Sequence, residues 1–210
     1  MPGRETMAEE DLCVAALEGD AEDVEQLLGN GVDVNCRLQF TSTGVGDEGN
    51  TPLHAAVENG HEDVVAILID AKADVNAVSE TSGTPLHIAT REGLERMVFI
   101  LLEFKADSNL QDERGTTPLH EAAGLGLTTV TMALMDANAD PKAQDKDGRT
   151  PKDVAMEKGQ FDGFQAGLRD FLYTTDYSPK LVPLSPGAAA TATEANNQIM
   201  ASKVDPPQSA

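Results

Sequence analysis

Apolar residues recur along this chain with a helical period inside short blocks, and the blocks themselves recur at a fixed distance. In "HEDVVAILID" (61–70), residues three and four apart share one helical face. The apolar residues of that face are Val64, Val65, Leu68 and Ile69. A shorter block, "TPLHAAVENG" (51–60), precedes it; Pro52 suits the first position of a helix and Gly60 suits its end. The pattern predicts two short antiparallel helices followed by a polar loop.

The same pair of blocks returns every 33 residues. The letters "TPLH" stand at 51–54, 84–87 and 117–120, and "TPKD" follows at 150–153. A single pair of such short helices cannot bury its apolar faces, so the units must stack on one another. Stability is then shared along a line of neighbours instead of around one centre.

These residues resemble the ankyrin repeat family, whose hallmark is TPLHxA at a spacing of 33 residues. The resemblance covers residues 8–172 and implies an all-α ankyrin-repeat solenoid of five stacked helix-turn-helix units with β-hairpin-like fingers. The expected units are 8–45, 46–78, 79–111, 112–144 and 145–172, with an eight-residue finger insertion within 36–50. Residues 1–7 and the tail 173–210, which is rich in Pro, Ala, Ser and Thr, are expected to be disordered.

The units depart from the family pattern at particular positions. Where the family has a glycine after the second helix, this chain has Lys72, Lys105 and Asn138. We expect these three residues to take positive φ angles, which lowers the stability of the array. The second helix of the last unit contains Gly163 and Gly167, and from these glycines we expect a fraying helix.

The charge of the chain restricts its partners. With 36 acidic and 15 basic residues among 210, the formal net charge is −21. Such a chain repels phosphate backbones and anionic lipid, so we expect no nucleic acid and no membrane partner. A protein with a basic segment is a better expectation, although the charge is also explained by solubility alone. Two cysteines without metal-type spacing are typical of a reducing compartment, and we expect a cytoplasmic or nuclear protein.

The repeated histidines are the first candidates for chemistry. His54, His87 and His120 occupy the same place in successive units. Stacked helices lie ~8–10 Å apart, whereas nitrogens that share one zinc ion each lie ~2 Å from it. The three side chains therefore cannot converge on a metal. The resemblance implies instead that each histidine bonds loop backbone near its own helix start. We expect no metal, no cofactor and no catalytic residue.

The resemblance implies binding of another protein through the fingers and the concave face. We expect a monomeric, non-catalytic adaptor or regulatory subunit; the alternative is an inhibitor that clamps an enzyme such as a protein kinase, and an enzyme is a remote one. Carried over by frame, the expected partner-binding residues are Phe40, Asp47, Glu48, Asn50, Glu58, Asn59, Glu80, Arg91, Glu92, Glu113, Arg114 and Leu125. The same frame adds Thr81 and Gly83 in the third unit, and Thr116, Gly124, Lys146, Asp147, Arg149, Glu157 and Lys158 in the last two units.

Several of these positions carry further expectations. The acidic ones lie towards the N-terminal half, which predicts that a basic segment docks near the second and third units. Phe40, within the finger insertion, either binds a partner or packs locally. In the tail, Ser178 and Ser185 precede prolines and are candidate phosphorylation sites. Asn76 and Asn109 match a finger asparagine that can be hydroxylated in the family, although turn formation is their ordinary role.

Overall fold

Ten α-helices account for most of the chain that the structure describes. The computed structural model describes residues 4–37 and 49–173. The helices are α1 (Arg4–Glu18), α2 (Ala21–Gly29), α3 (Pro52–Glu58), α4 (Glu62–Asp70), α5 (Pro85–Arg91), α6 (Glu95–Glu103), α7 (Pro118–Leu125), α8 (Thr128–Asp136), α9 (Pro151–Glu157) and α10 (Phe161–Tyr173). Helix α1 thus begins four residues before the expected start of the array. The described residues contain no β-strand, only an isolated antiparallel bridge between Ser79 and Gly83. No described helix has the length and apolar character needed to span a bilayer.

The TPLH motif builds the start of each first helix. In α3, Thr51 is the N-cap with extended backbone angles (φ −91°, ψ 166°), and Pro52 takes the first helical position. The Thr51 side chain and the His54 side chain three residues later form a reciprocal capping box. Helices α5, α7 and α9 begin in the same way, α9 with Asp153 in place of the histidine.

The ends of the second helices confirm the expected backbone strain. Lys72, Lys105 and Asn138 have φ angles of 72°, 67° and 62°, and they are the non-glycine residues with positive φ in the described part of the chain. Each stands one residue beyond the C-cap of its helix, and its N–H bonds back to the carbonyl of Ile69, Leu102 or Met135. The left-handed turn is therefore kept although the glycine is missing.

The helices pack in two layers. In one layer α3 contacts α1 and α5, and α7 contacts α5 and α9; in the other, α4 contacts α2, and α8 contacts α6 and α10. The core runs between successive helix pairs, where Leu53, Leu86 and Leu119 have no exposed surface. This arrangement is consistent with the stacking that the repeat predicts.

Helix α10 is continuous from Phe161 to Tyr173, although its two glycines led us to expect a fraying helix. A Cβ atom on Gly163 would lie 2.8 Å from the carbonyl oxygen of Gly126, and one on Gly167 would lie 2.8 Å from that of Thr128. These glycines allow the thirteen-residue α10 to approach α8 and its preceding turn closely, and Phe164, 1% exposed, fills the space between them. The sequence shows only that glycine lowers helix propensity; the short distance between the helices explains why it is used.

The last first-layer helix is uncovered on one side. Val57, Thr90 and Ala123 occupy one frame position and are fully buried, whereas Met156 at the same position is 58% exposed. Polar residues stand at two neighbouring positions of α9, where Lys152 and Asp153 are exposed. The described helices therefore end in a largely polar surface, as a terminal repeat requires.

Candidate functional site

Each repeated histidine joins two successive helix pairs through its ring nitrogens. The Nδ1 of His54 accepts the backbone N–H of Thr51 at 3.2 Å, so the ring hydrogen resides on Nε2, which donates to the carbonyl of Gly83 at 3.1 Å. His87 and His120 repeat this pattern; their Nε2 atoms lie 2.9 Å and 3.0 Å from the carbonyls of Thr116 and Arg149. The bond to the histidine's own helix start agrees with the family pattern, and the second bond, 29 residues ahead, was not foreseen.

Backbone groups occupy both ring nitrogens of each of these histidines, so no lone pair is left for a general base. Burial lowers the pKa of His54 to about 4 and also lowers the pKa of His87. The imidazoles of His54 and His87 are therefore neutral at neutral pH. Within the described residues, no group of three His, Cys, Asp or Glu side chains is arranged to hold a metal ion.

The finger asparagines likewise bond to the next unit. The side-chain oxygen of Asn76 accepts the N–H of Asp107 at 2.8 Å, and that of Asn109 accepts the N–H of Asp140 at 2.7 Å. Asn109 also donates to the carbonyl of Asn138 at 3.0 Å. These amides hold successive turns together; hydroxylation at Asn76 and Asn109 stays a prediction.

The two cysteines, 23 positions apart in the chain, meet beside α1. The thiol of Cys36 contacts the carbonyl of Glu9 at 3.7 Å, one helical turn before Cys13. The hydrogen bond from Cys36 and burial raise the pKa of the Cys13 thiol. Both cysteines are free and buried, which makes them poor nucleophiles.

Five of the predicted positions lie outside the described residues: Phe40, Asp47, Glu48, Ser178 and Ser185. Glu58, Asn59, Glu80 and Glu92 are exposed, as the frame predicts. Arg91 is half-buried and donates to Glu121 and to the carbonyl of Ser82, each at 3.4 Å.

Asn50 does not point outward, so the expectation that it contacts a partner is wrong. Its side chain is 1% exposed, and both atoms of its amide lack a hydrogen-bond partner in the described part of the protein. The reason is visible one repeat later. A Cβ atom on Gly83, at the matching position, would lie 3.1 Å from both Asp112 and the ring of His87. This position therefore faces the neighbouring finger and the buried histidine.

The predicted positions of the last two units surround one groove. This cavity of about 580 Å³ is called the α7/α9 groove because it lies along those two helices and the fingers before them. It is lined by Glu113, Arg114, Thr116, His120, Glu121, Gly124, Leu125, Lys146, Asp147, Arg149, Val154, Glu157 and Lys158. All ten frame positions of these units are among them, and Leu125 is 47% exposed there.

Ion pairs fix the arginines of the groove in place. Glu121 accepts hydrogen bonds from Arg91 at 3.4 Å and from Arg114 at 3.0 Å, and Arg114 also contacts Asp112 at 3.1 Å. Burial raises the pKa of Asp112, but hydrogen bonds from Thr116 and Arg114 outweigh it and hold the pKa below its usual range. Asp112 is therefore ionised at neutral pH.

On the other side of the groove, Arg149 contacts Asp145, Asp147 and Glu157 at 2.9, 3.2 and 3.1 Å. Both arginines that line the groove thus contact carboxylates of the protein itself, and the three acids on Arg149 outnumber its single positive charge. Their guanidinium groups are oriented before any partner arrives.

Comparisons with known proteins agree with the repeat pattern. The family model described as ankyrin repeats (three copies) matches residues 12–112 and 95–166. A mouse (Mus musculus) protein, histone-lysine N-methyltransferase EHMT1, is 33% identical over 69 residues. That match covers 33% of this chain and only 5% of the length of the mouse protein.

Proposed function

This chain belongs to the ankyrin repeat family, and we propose that it is a non-catalytic adaptor or regulatory subunit that binds another protein through its fingers and first helices. Ankyrin repeats are protein–protein interaction modules, and the family is typically non-catalytic. We propose that the ten helices form five repeats with the boundaries expected from the sequence, except that α1 extends the first repeat back to Arg4. The expected disordered tail lies outside the described residues from residue 174 onward.

The α7/α9 groove carries the proposal. It collects all ten finger and first-helix positions of the last two repeats, together with a half-exposed leucine. Exposed apolar surface enclosed by polar residues is typical of protein-binding sites. Because the arginines are held by ion pairs, little side-chain ordering is required when a partner binds.

The N-terminal half is more acidic than the C-terminal half, and we propose that it contacts a basic segment of the partner. Described residues 4–37 and 49–90 contain 16 acidic and 3 basic residues, a formal charge of −13. Residues 91–173 contain 15 acidic and 10 basic ones, a formal charge of −5. Exposed Glu58 and Glu80 lie in the more acidic part. A basic segment of the partner would be attracted there, and reversing both charges should weaken capture at physiological salt.

The cellular setting is part of the same proposal. Two free, buried thiols fit a reducing compartment, and we propose the cytoplasm or the nucleus. Imaging of a fluorescent fusion of the full chain tests this; enrichment in a secretory compartment would contradict it. We propose a monomer, which sedimentation of the purified chain would check.

Affinity purification with matched surface variants tests the binding function. Leu125→Asp puts a charge into the groove, whereas Met7→Asp changes an apolar residue of α1 that is 56% exposed, compared with 47% for Leu125. We expect wild type and Met7→Asp to retain a partner at a stoichiometric level and Leu125→Asp to lose it, with all three equally folded by circular dichroism. Unchanged capture by Leu125→Asp would refute binding at the groove. An enzyme that is retained and loses activity would identify an inhibitor instead of an adaptor.

A further inference from the structure

The α7/α9 groove has an apolar strip between two charged sides. Leu125 at the end of α7 and half-buried Val154 on α9 contribute the strip. Between them, a Cβ atom on Gly124 would lie only 3.2 Å from Cγ1 of Val154, so the glycine keeps this part of the floor open. The strip can therefore accept an apolar side chain from an extended segment.

The cations around this strip are of two kinds. Arg114 and Arg149 are paired with the protein's own carboxylates, as described above. Lys146 and Lys158 are exposed, and neither ammonium forms an ion pair or a side-chain hydrogen bond with the described residues. Lys146 precedes α9 in its finger and Lys158 follows α9, so the α9 side of the groove offers two unpaired positive charges.

The opposite side offers the opposite charge. Glu113, in the finger before α7, is exposed and forms no ion pair with the part of the chain that the structure describes. The charges beside α9 sum to zero, because Asp145, Asp147 and Glu157 offset Arg149 and the two lysines. The two ammonium groups are nevertheless the groove cations that no carboxylate of the described residues contacts, so a segment that binds there is favoured when it places a carboxylate directly beside them.

The large negative charge of the chain does not overrule this local pattern. The helices with the largest net negative charge, α1, α2 and α4, belong to the first two helix pairs. Two further stacked first helices, α5 and α7, at ~8–10 Å each, separate these pairs from α9. At physiological salt the Debye length is about 8 Å. The field of the distant acids is therefore largely screened at the groove, where the two lysines lie beside any bound ligand.

We propose that the α7/α9 groove binds an acidic peptide segment of the partner, with an apolar side chain against Leu125 and Val154 and an adjacent carboxylate beside Lys146 and Lys158. The inference rests on the proposed binding function and specifies the chemistry of the ligand at one of its contacts. It differs from the basic segment expected at the N-terminal half, which concerns another part of the array.

Selection from a random twelve-residue peptide display library tests the ligand chemistry. The immobilised proteins are wild type, Lys146→Glu/Lys158→Glu, and the control Lys105→Glu/Lys142→Glu, which changes the net charge equally at exposed lysines outside the groove. Wild type and control should enrich peptides with Leu, Ile, Met or Phe next to Asp or Glu. The groove variant should instead enrich Lys or Arg beside the apolar residue. No enrichment, or the same preference in all three proteins, overturns the proposal.

A titration of one selected peptide, labelled with a fluorophore and measured at 0.15 M salt, gives the magnitude. We expect the groove variant to bind at least tenfold more weakly than wild type and the control variant to bind within twofold of it. Leu125→Asp separates the two proposals. If it abolishes binding while the selected peptides are basic or uncharged, the acidic ligand is wrong and the groove remains a binding site. If it leaves binding unchanged, the groove itself is refuted.

Discussion

Lowering the pH from 7.5 to 5.0 should destabilise this protein through the protonation of His54. The ring is fully buried, accepts the N–H of Thr51 and donates to the carbonyl of Gly83. A second proton on Nδ1 would face the Thr51 N–H and break that hydrogen bond, and the charged ring would be buried away from water. Since burial lowers the pKa of His54 in the folded state, protonation favours the unfolded chain.

The size of the effect follows from the pKa shift of His54, from 6.5 to about 4. Its contribution to stability is complete above about pH 6.5 and is lost as the pH falls towards 4. Between pH 7.5 and pH 5.0, this histidine alone should remove about 2 kcal/mol from the free energy of unfolding. Burial acts on His87 in the same direction. The depressed pKa of Asp112 affects stability only at pH values below its ordinary range.

The variant His54→Asn isolates this contribution. The chain itself shows that a shorter acceptor can complete the capping box, because Asp153 accepts from the backbone and hydroxyl of Thr150 at 2.9 and 2.7 Å. Asparagine should keep that cap but lose both the titration and the bond to Gly83. It should therefore be roughly 1–3 kcal/mol less stable than wild type at pH 7.5, because a buried carbonyl is left without a donor.

Urea unfolding followed by circular dichroism at pH 7.5, 6.5, 5.5 and 5.0 measures the difference. Wild type should lose about 2 kcal/mol more than His54→Asn over this range. The control Val57→Ala, which creates a cavity in the same helix, should be destabilised at every pH and keep the pH dependence of wild type. Equal losses in wild type and His54→Asn would refute the assignment of a buried neutral imidazole.

Three substitutions test packing and backbone by thermal and urea unfolding at pH 7.5. Thr131→Val should stabilise the protein by about 1 kcal/mol, because the Thr131 hydroxyl is buried without a partner and Val98 fills the same place one repeat earlier; a loss of stability would show an unseen bond. Gly163→Ala should lower the free energy of unfolding by more than about 1 kcal/mol, because the added methyl group would clash with the turn before α8. The control Gly29→Ala, which has open space around it, should be neutral or stabilising. Equal effects of the two substitutions would contradict the close approach of α10 to that turn. Lys105→Gly should gain about 0.5–1 kcal/mol by relieving the positive φ, and no gain would mean that the turn is unstrained.

The features that could be predicted from the sequence are those that depend on residue type within one repeat. The starts of the first helices at Thr and Pro, the apolar faces of the second helices and the positive φ at Lys72, Lys105 and Asn138 all follow from residue type and repeat frame. The positions that collect at the α7/α9 groove also followed from the frame. Each of these features depends on one unit or on its periodic copies, which a single sequence contains in full.

Features that depend on distances between units escaped prediction. The frame places Asn50 among the expected partner-binding positions, yet the matching site at Gly83 shows that the neighbouring finger covers this position. The contact between Cys36 and the α1 turn before Cys13 brings together residues with no shared motif. Glycines that permit close helix packing and glycines that allow a helix to fray are the same letter in a sequence. The structure separates the two explanations, because a Cβ atom added to Gly163 would lie 2.8 Å from the carbonyl oxygen of Gly126.

The buried histidines connect the stability of the array to its binding surface. His87 bonds to the carbonyl of Thr116, and His120 bonds to that of Arg149; both carbonyl residues line the α7/α9 groove. Each histidine therefore fixes the backbone that carries groove side chains of the next unit. A segment held at such points loses little conformational freedom on binding, so more of the contact energy is available for affinity. The repeated histidine motif thus positions backbone of its neighbour that carries residues of the proposed binding surface.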